Sequence, residues 1–64
     1  MLKPKYRIFH DTELMGYFPE VKYLLFWHPA KRDENGYVSG FDSLEDAENY
    51  FKAFNIDDYK IVER

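Results

Sequence analysis

The sequence predicts a small α+β domain in which one helix packs on one face of a mostly antiparallel sheet of three or four strands. Three observations support this class: the chain has 64 residues, its extended apolar segments are short, and one segment has helical periodicity. A chain of this length forms a single domain, which we place over residues 1–64. The predicted order of elements is β-β-β-α-β.

Two strands are predicted in the first half of the chain. Residues 5–10 combine aromatic and β-branched side chains with partial alternation, as strands do. Residues 11–20 contain a glycine and a proline, so we interpret them as a long connection that either packs down as a flap or extends the next strand. That strand is predicted over residues 21–28, and Pro29 stops it because proline has no N–H for a neighbouring strand.

The second half contains a charged loop and two further short strands. Residues 30–36 are predicted to form a hairpin loop, because Asn35 and Gly36 tolerate the positive φ angles of a tight turn. Residues 37–41 then form a short third strand. Residues 59–63 alternate in polarity and are predicted to be the last strand.

The helix, predicted over Leu44 to Phe54, has the strongest signal in the chain. Ser43 is positioned to cap its N-terminus, with Asp46 three residues later as in a capping box. Asn55 is suited to the left-handed conformation that ends many helices. The apolar side chains fall within an arc of roughly 120°, the width of a stripe that faces a core. These side chains are Leu44, Ala47, Tyr50, Phe51 and Phe54.

The predicted strand over residues 21–28 is apolar on both faces, and this feature determines the predicted binding site. One helix about 16 Å long covers only one face of a sheet, so the other face keeps exposed aromatic surface. We predict that this open face binds another molecule, with Trp27 as the anchor. A shift of one residue in register would exchange the two faces. The predicted binding residues are Arg7, Phe9, Tyr23, Leu25 and Trp27, and the predicted core residues are Tyr6, Ile8, Leu24, Phe26 and Ile61.

These features predict a non-catalytic protein-interaction module of the adaptor, accessory or inhibitor type. It would bind a protein partner or a second copy, as a homodimer, through the aromatic sheet face or an open strand edge. The alternative is a single-stranded nucleic-acid binder that stacks bases on the same face. The net charge of −3 favours the first, because an acidic chain lacks the counterion release that dominates non-specific binding to nucleic acid.

Catalysis, metal binding and cofactor binding are not predicted. Ser43 is expected to cap the helix, and the few other aliphatic hydroxyls have no pattern of an activated nucleophile. His10 and His28 could approach each other beside Asp11 and Glu13, but their spacing matches no metal motif. No apolar run reaches the ~18 residues of a membrane span, and no signal peptide is evident. We therefore expect a cytoplasmic protein without membrane contacts.

Overall fold

Over residues 4–63, which the computed structural model describes, four strands form one mixed sheet and one helix packs on it. The order of strands in the sheet is β3-β2-β1-β4; β2 is antiparallel to both of its neighbours, and β4 is parallel to β1. The predicted α+β class and the order β-β-β-α-β are confirmed. The elements are β1 (Lys5–Asp11), β2 (Gly16–Tyr23), β3 (Phe26–Pro29), α1 (Leu44–Ala53) and β4 (Lys60–Glu63).

The segment predicted as a single strand over residues 21–28 is a hairpin of two strands. β2 ends at Tyr23, Leu24 and Leu25 form the turn, and β3 begins at Phe26. The prediction of a continuous strand was wrong because an apolar pair carries none of the glycine, asparagine or aspartate signals of a two-residue turn. The second half of the predicted long connection is strand, since β2 begins at Gly16.

Pro19 lies inside β2 and is tolerated there through a contact from the helix. The N–H of Ala30 donates to the carbonyl of Pro19 at 2.9 Å. An ordinary residue at position 19 would return a bond to the carbonyl of Ala30, and proline cannot. The Tyr50 hydroxyl of α1 donates to that carbonyl instead, at 3.0 Å. The helix therefore supplies the hydrogen bond that the proline removes, and it ties the β2–β3 hairpin to α1.

The predicted third strand over residues 37–41 is absent from the described part of the chain, where this segment makes only isolated bridges. Arg32 pairs with Val38, and Phe41 pairs with Tyr17 beyond the end of β3. The turn between them is confirmed, with a φ of 85° at Gly36. The strand prediction was wrong because aromatic and β-branched content does not supply a neighbouring strand with which to pair.

The helix agrees closely with its prediction. α1 runs over Leu44–Ala53, and the hydroxyl of Ser43 accepts a hydrogen bond from the Asp46 N–H at 3.2 Å. Phe54, predicted as the last helical residue, is the C-cap, and Asn55 follows with a φ of 60°. Each of these features depends on contacts within one or two turns of chain, so the local sequence suffices to specify them.

The core lies between α1 and the sheet. Three side chains with no solvent exposure form it: Ile8, Ala47 and Phe51. Of the predicted core residues, Ile8 is confirmed and Tyr6 packs against the cluster. The other three are more than half exposed and were wrongly assigned to the core: Leu24, Phe26 and Ile61. The turn at residues 24–25 explains the first two, because it carries them beyond the reach of the helix.

The segment before β4 is held against the helix by Tyr59. Its hydroxyl donates to a carboxylate oxygen of Glu48 at 2.6 Å, and its ring lies 5.2 Å from that of Phe51. The hydrogen bond to Glu48, together with burial and the negative charges of Glu48 and Asp57, raises the pKa of Tyr59. This contact anchors the chain where it leaves the helix side to join the sheet.

Candidate functional site

Three of the five predicted binding residues lie together on the sheet face opposite the helix. Arg7 and Phe9 flank the buried Ile8 in β1, so they point away from α1. Trp27 pairs with Lys22, next to the buried Val21, and lies on the same open face. The guanidinium of Arg7 lies 4.1 Å from the ring of Trp27 and 5.7 Å from that of Phe9.

The groups of this open face are largely paired with one another. Arg7 forms an ion pair and hydrogen bond with Glu20 at 2.5 Å, and both side chains are about four-fifths buried. The same guanidinium covers one face of the Trp27 ring, and the Lys22 ammonium lies 5.9 Å from that ring. Trp27 and Phe9 are therefore half-buried members of a cation–π cluster. The role of Trp27 as a binding anchor stays a prediction.

The other two predicted binding residues lie elsewhere, in what we call the hairpin tip (residues 23–26). Tyr23 pairs with Phe26 on the helix side of the sheet, and Leu25 lies in the turn. All four side chains of the tip are large, apolar and more than half exposed. Their exposed fractions are 56% for Tyr23, 93% for Leu24, 82% for Leu25 and 68% for Phe26.

An apolar groove of about 480 Å³ adjoins the tip on the helix side. It lies between the β2–β3 hairpin and the C-terminal half of α1, because the helix packs mainly on β2 and leaves β3 uncovered. Tyr23 belongs both to the tip and to the wall of this groove, and none of the described residues that line the groove is charged. Phe54 forms part of the opposite wall and is itself 61% exposed. Rings lining the groove are those of Tyr6, Tyr23, Tyr50, Phe51 and Phe54.

The backbone of the tip adopts a conformation that its side chains disfavour. Leu24 has a φ of 57°, whereas Leu25 is not among the residues with positive φ. A positive φ at the first turn residue alone is the pattern of a type II′ turn, which prefers glycine there. A non-glycine residue in the left-handed region costs on the order of 1–2 kcal/mol. Leu24 is thus both strained and exposed.

The outer edge of β3 is poorly suited to adding a strand. Since the Ala30 N–H bonds inward to β2, alternation places the backbone groups of His28 and Phe26 inward as well. Trp27 and Pro29 direct theirs outward, and Pro29 has no N–H. The edge of β3 therefore offers one outward donor, a common device against edge-to-edge pairing.

A second, more open groove of about 730 Å³ lies at the end of the sheet beside Trp27. Its lining contains charges of both signs. The basic residues are Lys5, Lys22 and Lys60, and the acidic residues are Asp57 and Asp58. The register of β1 with its neighbours places the three lysines on the open face with Arg7.

The two histidines lie apart from each other and from any cluster of acidic side chains. The ring of His10 stacks on Tyr17 at 4.1 Å, and its Nδ1 lies 3.4 Å from a carboxylate oxygen of Glu63. His28 lies beside Tyr23, with the rings 5.7 Å apart. Among residues 4–63, no three His, Asp or Glu side chains converge as metal ligands would. Within the same residues, no helix has the length and apolar content needed to cross a membrane.

Sequence reasoning placed Leu24 and Phe26 in the core and so missed their exposure. The one local signal for the turn is weak: an aromatic pair, Tyr23 and Phe26, flanks two residues and can pair across a hairpin. Comparison with protein-family models, with curated proteins and with solved structures found no match to this chain. The functional argument therefore depends on the geometry of the tip and its groove.

Proposed function

We propose that this protein is a non-catalytic protein-interaction module that binds another polypeptide through the hairpin tip and the adjoining apolar groove. One observation carries the proposal: four consecutive large apolar side chains are exposed beside a groove whose described lining is uncharged. Exposed apolar patches of several hundred Å² are rare on monomeric proteins and usually mark interaction sites.

The backbone strain at Leu24 supports the same assignment. Glycine or asparagine would relieve the positive φ and would also remove apolar surface from the tip. Strained residues that are not required by the local fold cluster at binding and catalytic sites. A leucine at this position makes physical sense if its side chain is buried by a partner, because burial of a leucine contributes about 1.5–3 kcal/mol.

Site-specific photocrosslinking tests the proposal. A benzophenone amino acid at position 25, in the tip, is expected to capture a polypeptide in cells of the native host when irradiated. Leu14 provides a matched control, because it is also an exposed leucine in a hairpin turn but lies at the opposite end of β2. Equal capture at positions 14 and 25, or none at position 25, would contradict the proposal.

Single-stranded nucleic acid is the second candidate, on the evidence of the open face. Lys5, Lys22 and Lys60 lie on that face around Trp27. Glu20, which pairs with Arg7, and the two aspartates of the larger groove offset part of this charge. The same crosslinker in place of Phe9 separates the candidates, since an adduct removed by nuclease rather than protease would favour nucleic acid.

A further inference from the structure

Building on the proposed function, we infer that the occupant of this site is a second copy of the chain. In the resulting two-fold dimer, the hairpin tip of each protomer inserts into the apolar groove of its partner. The inference concerns which polypeptide binds, whereas the proposed function concerns only which surface does so.

The tip and the groove are chemically complementary. Residues 23–27 contain no acidic or basic side chain, and no charged residue among those described lines the groove. An uncharged protrusion beside an uncharged cavity needs no oppositely charged partner, and two copies can approach without repulsion between like charges. The groove, at about 480 Å³, is large enough for the side chains of Leu24 and Leu25.

The positions of the two features favour a closed dimer over an open chain of protomers. Tyr23 belongs both to the tip and to the groove, so protrusion and cavity are neighbours on one surface. A two-fold axis passing close to Tyr23 would bring each tip to the other groove in a single reciprocal contact. Features on opposite sides of the molecule would instead propagate head to tail.

The exposed apolar area matches the size of a small specific interface. The four tip side chains and Phe54 are 56–93% exposed, so each can bury on the order of 100–150 Å². Their sum is about 600 Å² per protomer and about 1,200 Å² for the dimer, which is at the lower limit for specific protein interfaces. A dimer with a dissociation constant in the micromolar range fits such an area.

Sedimentation equilibrium of the purified full chain tests this inference, over roughly 5–500 µM protein. The wild type is expected to change with concentration from 7.8 kDa towards twice that mass. Leu25→Lys places a charge at the tip and should raise the dissociation constant at least tenfold. Leu14→Lys adds the same charge at the other turn and should leave it unchanged. Far-UV circular dichroism and thermal melting establish that each variant is folded.

The groove provides an independent variant if Leu25→Lys does not fold. Phe54→Asn changes the exposed C-cap residue on the opposite wall and should weaken the dimer similarly. A wild type that stays monomeric throughout, or a dimer indifferent to both variants, overturns the inference. In that event, capture of a different polypeptide at position 25 would leave the proposed function standing. No capture at that position would remove the proposed function as well.

Discussion

The two hairpins that share β2 differ in how their turns are held. The first turn, residues 12–15, joins β1 to β2, and the second, Leu24 and Leu25, joins β2 to β3. Each exposes two apolar side chains, and each holds one non-glycine residue at a positive φ, 54° at Met15 and 57° at Leu24. Their backbone strain is therefore similar.

Their local support is different. In the first turn, one carboxylate oxygen of Asp11 accepts hydrogen bonds from the N–H groups of Glu13 and Leu14, at 2.9 and 3.1 Å. Tyr17 then exchanges two backbone hydrogen bonds with Phe41, which secures the start of β2. In the described structure, no side chain bonds to the backbone of Leu24 or Leu25 in this way. The comparison indicates that the first turn is built for stability, whereas the second accepts strain and exposure without local compensation.

The largest stability effect is expected from Asp11, which fastens the first turn. Asp11→Ala removes the acceptor for two backbone N–H groups and should lower the free energy of unfolding by about 1–2 kcal/mol. Urea denaturation of the variant and wild type measures the difference. Asp11→Asn keeps an acceptor oxygen and should recover most of it. Equal stability of the alanine variant and the wild type would mean that the two turns do not differ as described.

A smaller effect, of opposite sign, is expected at the second turn. Leu24→Gly relieves the left-handed strain, which exceeds the added chain entropy of glycine, and should raise the free energy of unfolding by about 0.5 kcal/mol. Leu25→Gly adds the same entropy without relieving strain and should lower it by about 0.5–1 kcal/mol. Chemical denaturation at a protein concentration low enough to avoid association separates the two. The reverse order of stabilities would contradict the strain assigned to Leu24.

Features with local causes could be predicted from the sequence. The cap at Ser43, the left-handed stop at Asn55 and the apolar stripe of α1 all depend on residues within a few positions of one another. The shared face of Arg7, Phe9 and Trp27 was also predicted, because alternation along β1 and β3 fixes it. Tyr23 and Leu25 were assigned to that face only because the turn between them and Trp27 was not recognised.

Features with distant causes could not be predicted in this way. Strand β2 continues through Pro19 because Tyr50, 31 positions later in the sequence, bonds to the carbonyl left without a donor. Likewise, Phe41 is held by a bridge to Tyr17 rather than by a strand of its own. The turn at residues 24–25 has no polar or glycine signal, and its register depends on pairing across the hairpin.

The account depends above all on the chain reversing at Leu24 and Leu25, and one NMR measurement tests this directly. Lys22 and Trp27 are opposed in β2 and β3 as a pair without mutual hydrogen bonds, so their α-carbons should lie about 4.5 Å apart. A strong nuclear Overhauser effect between the α-protons of these two residues is the expected result. Its absence, with the sequential pattern of an extended chain throughout residues 21–28, would contradict the hairpin and the binding surface inferred from it.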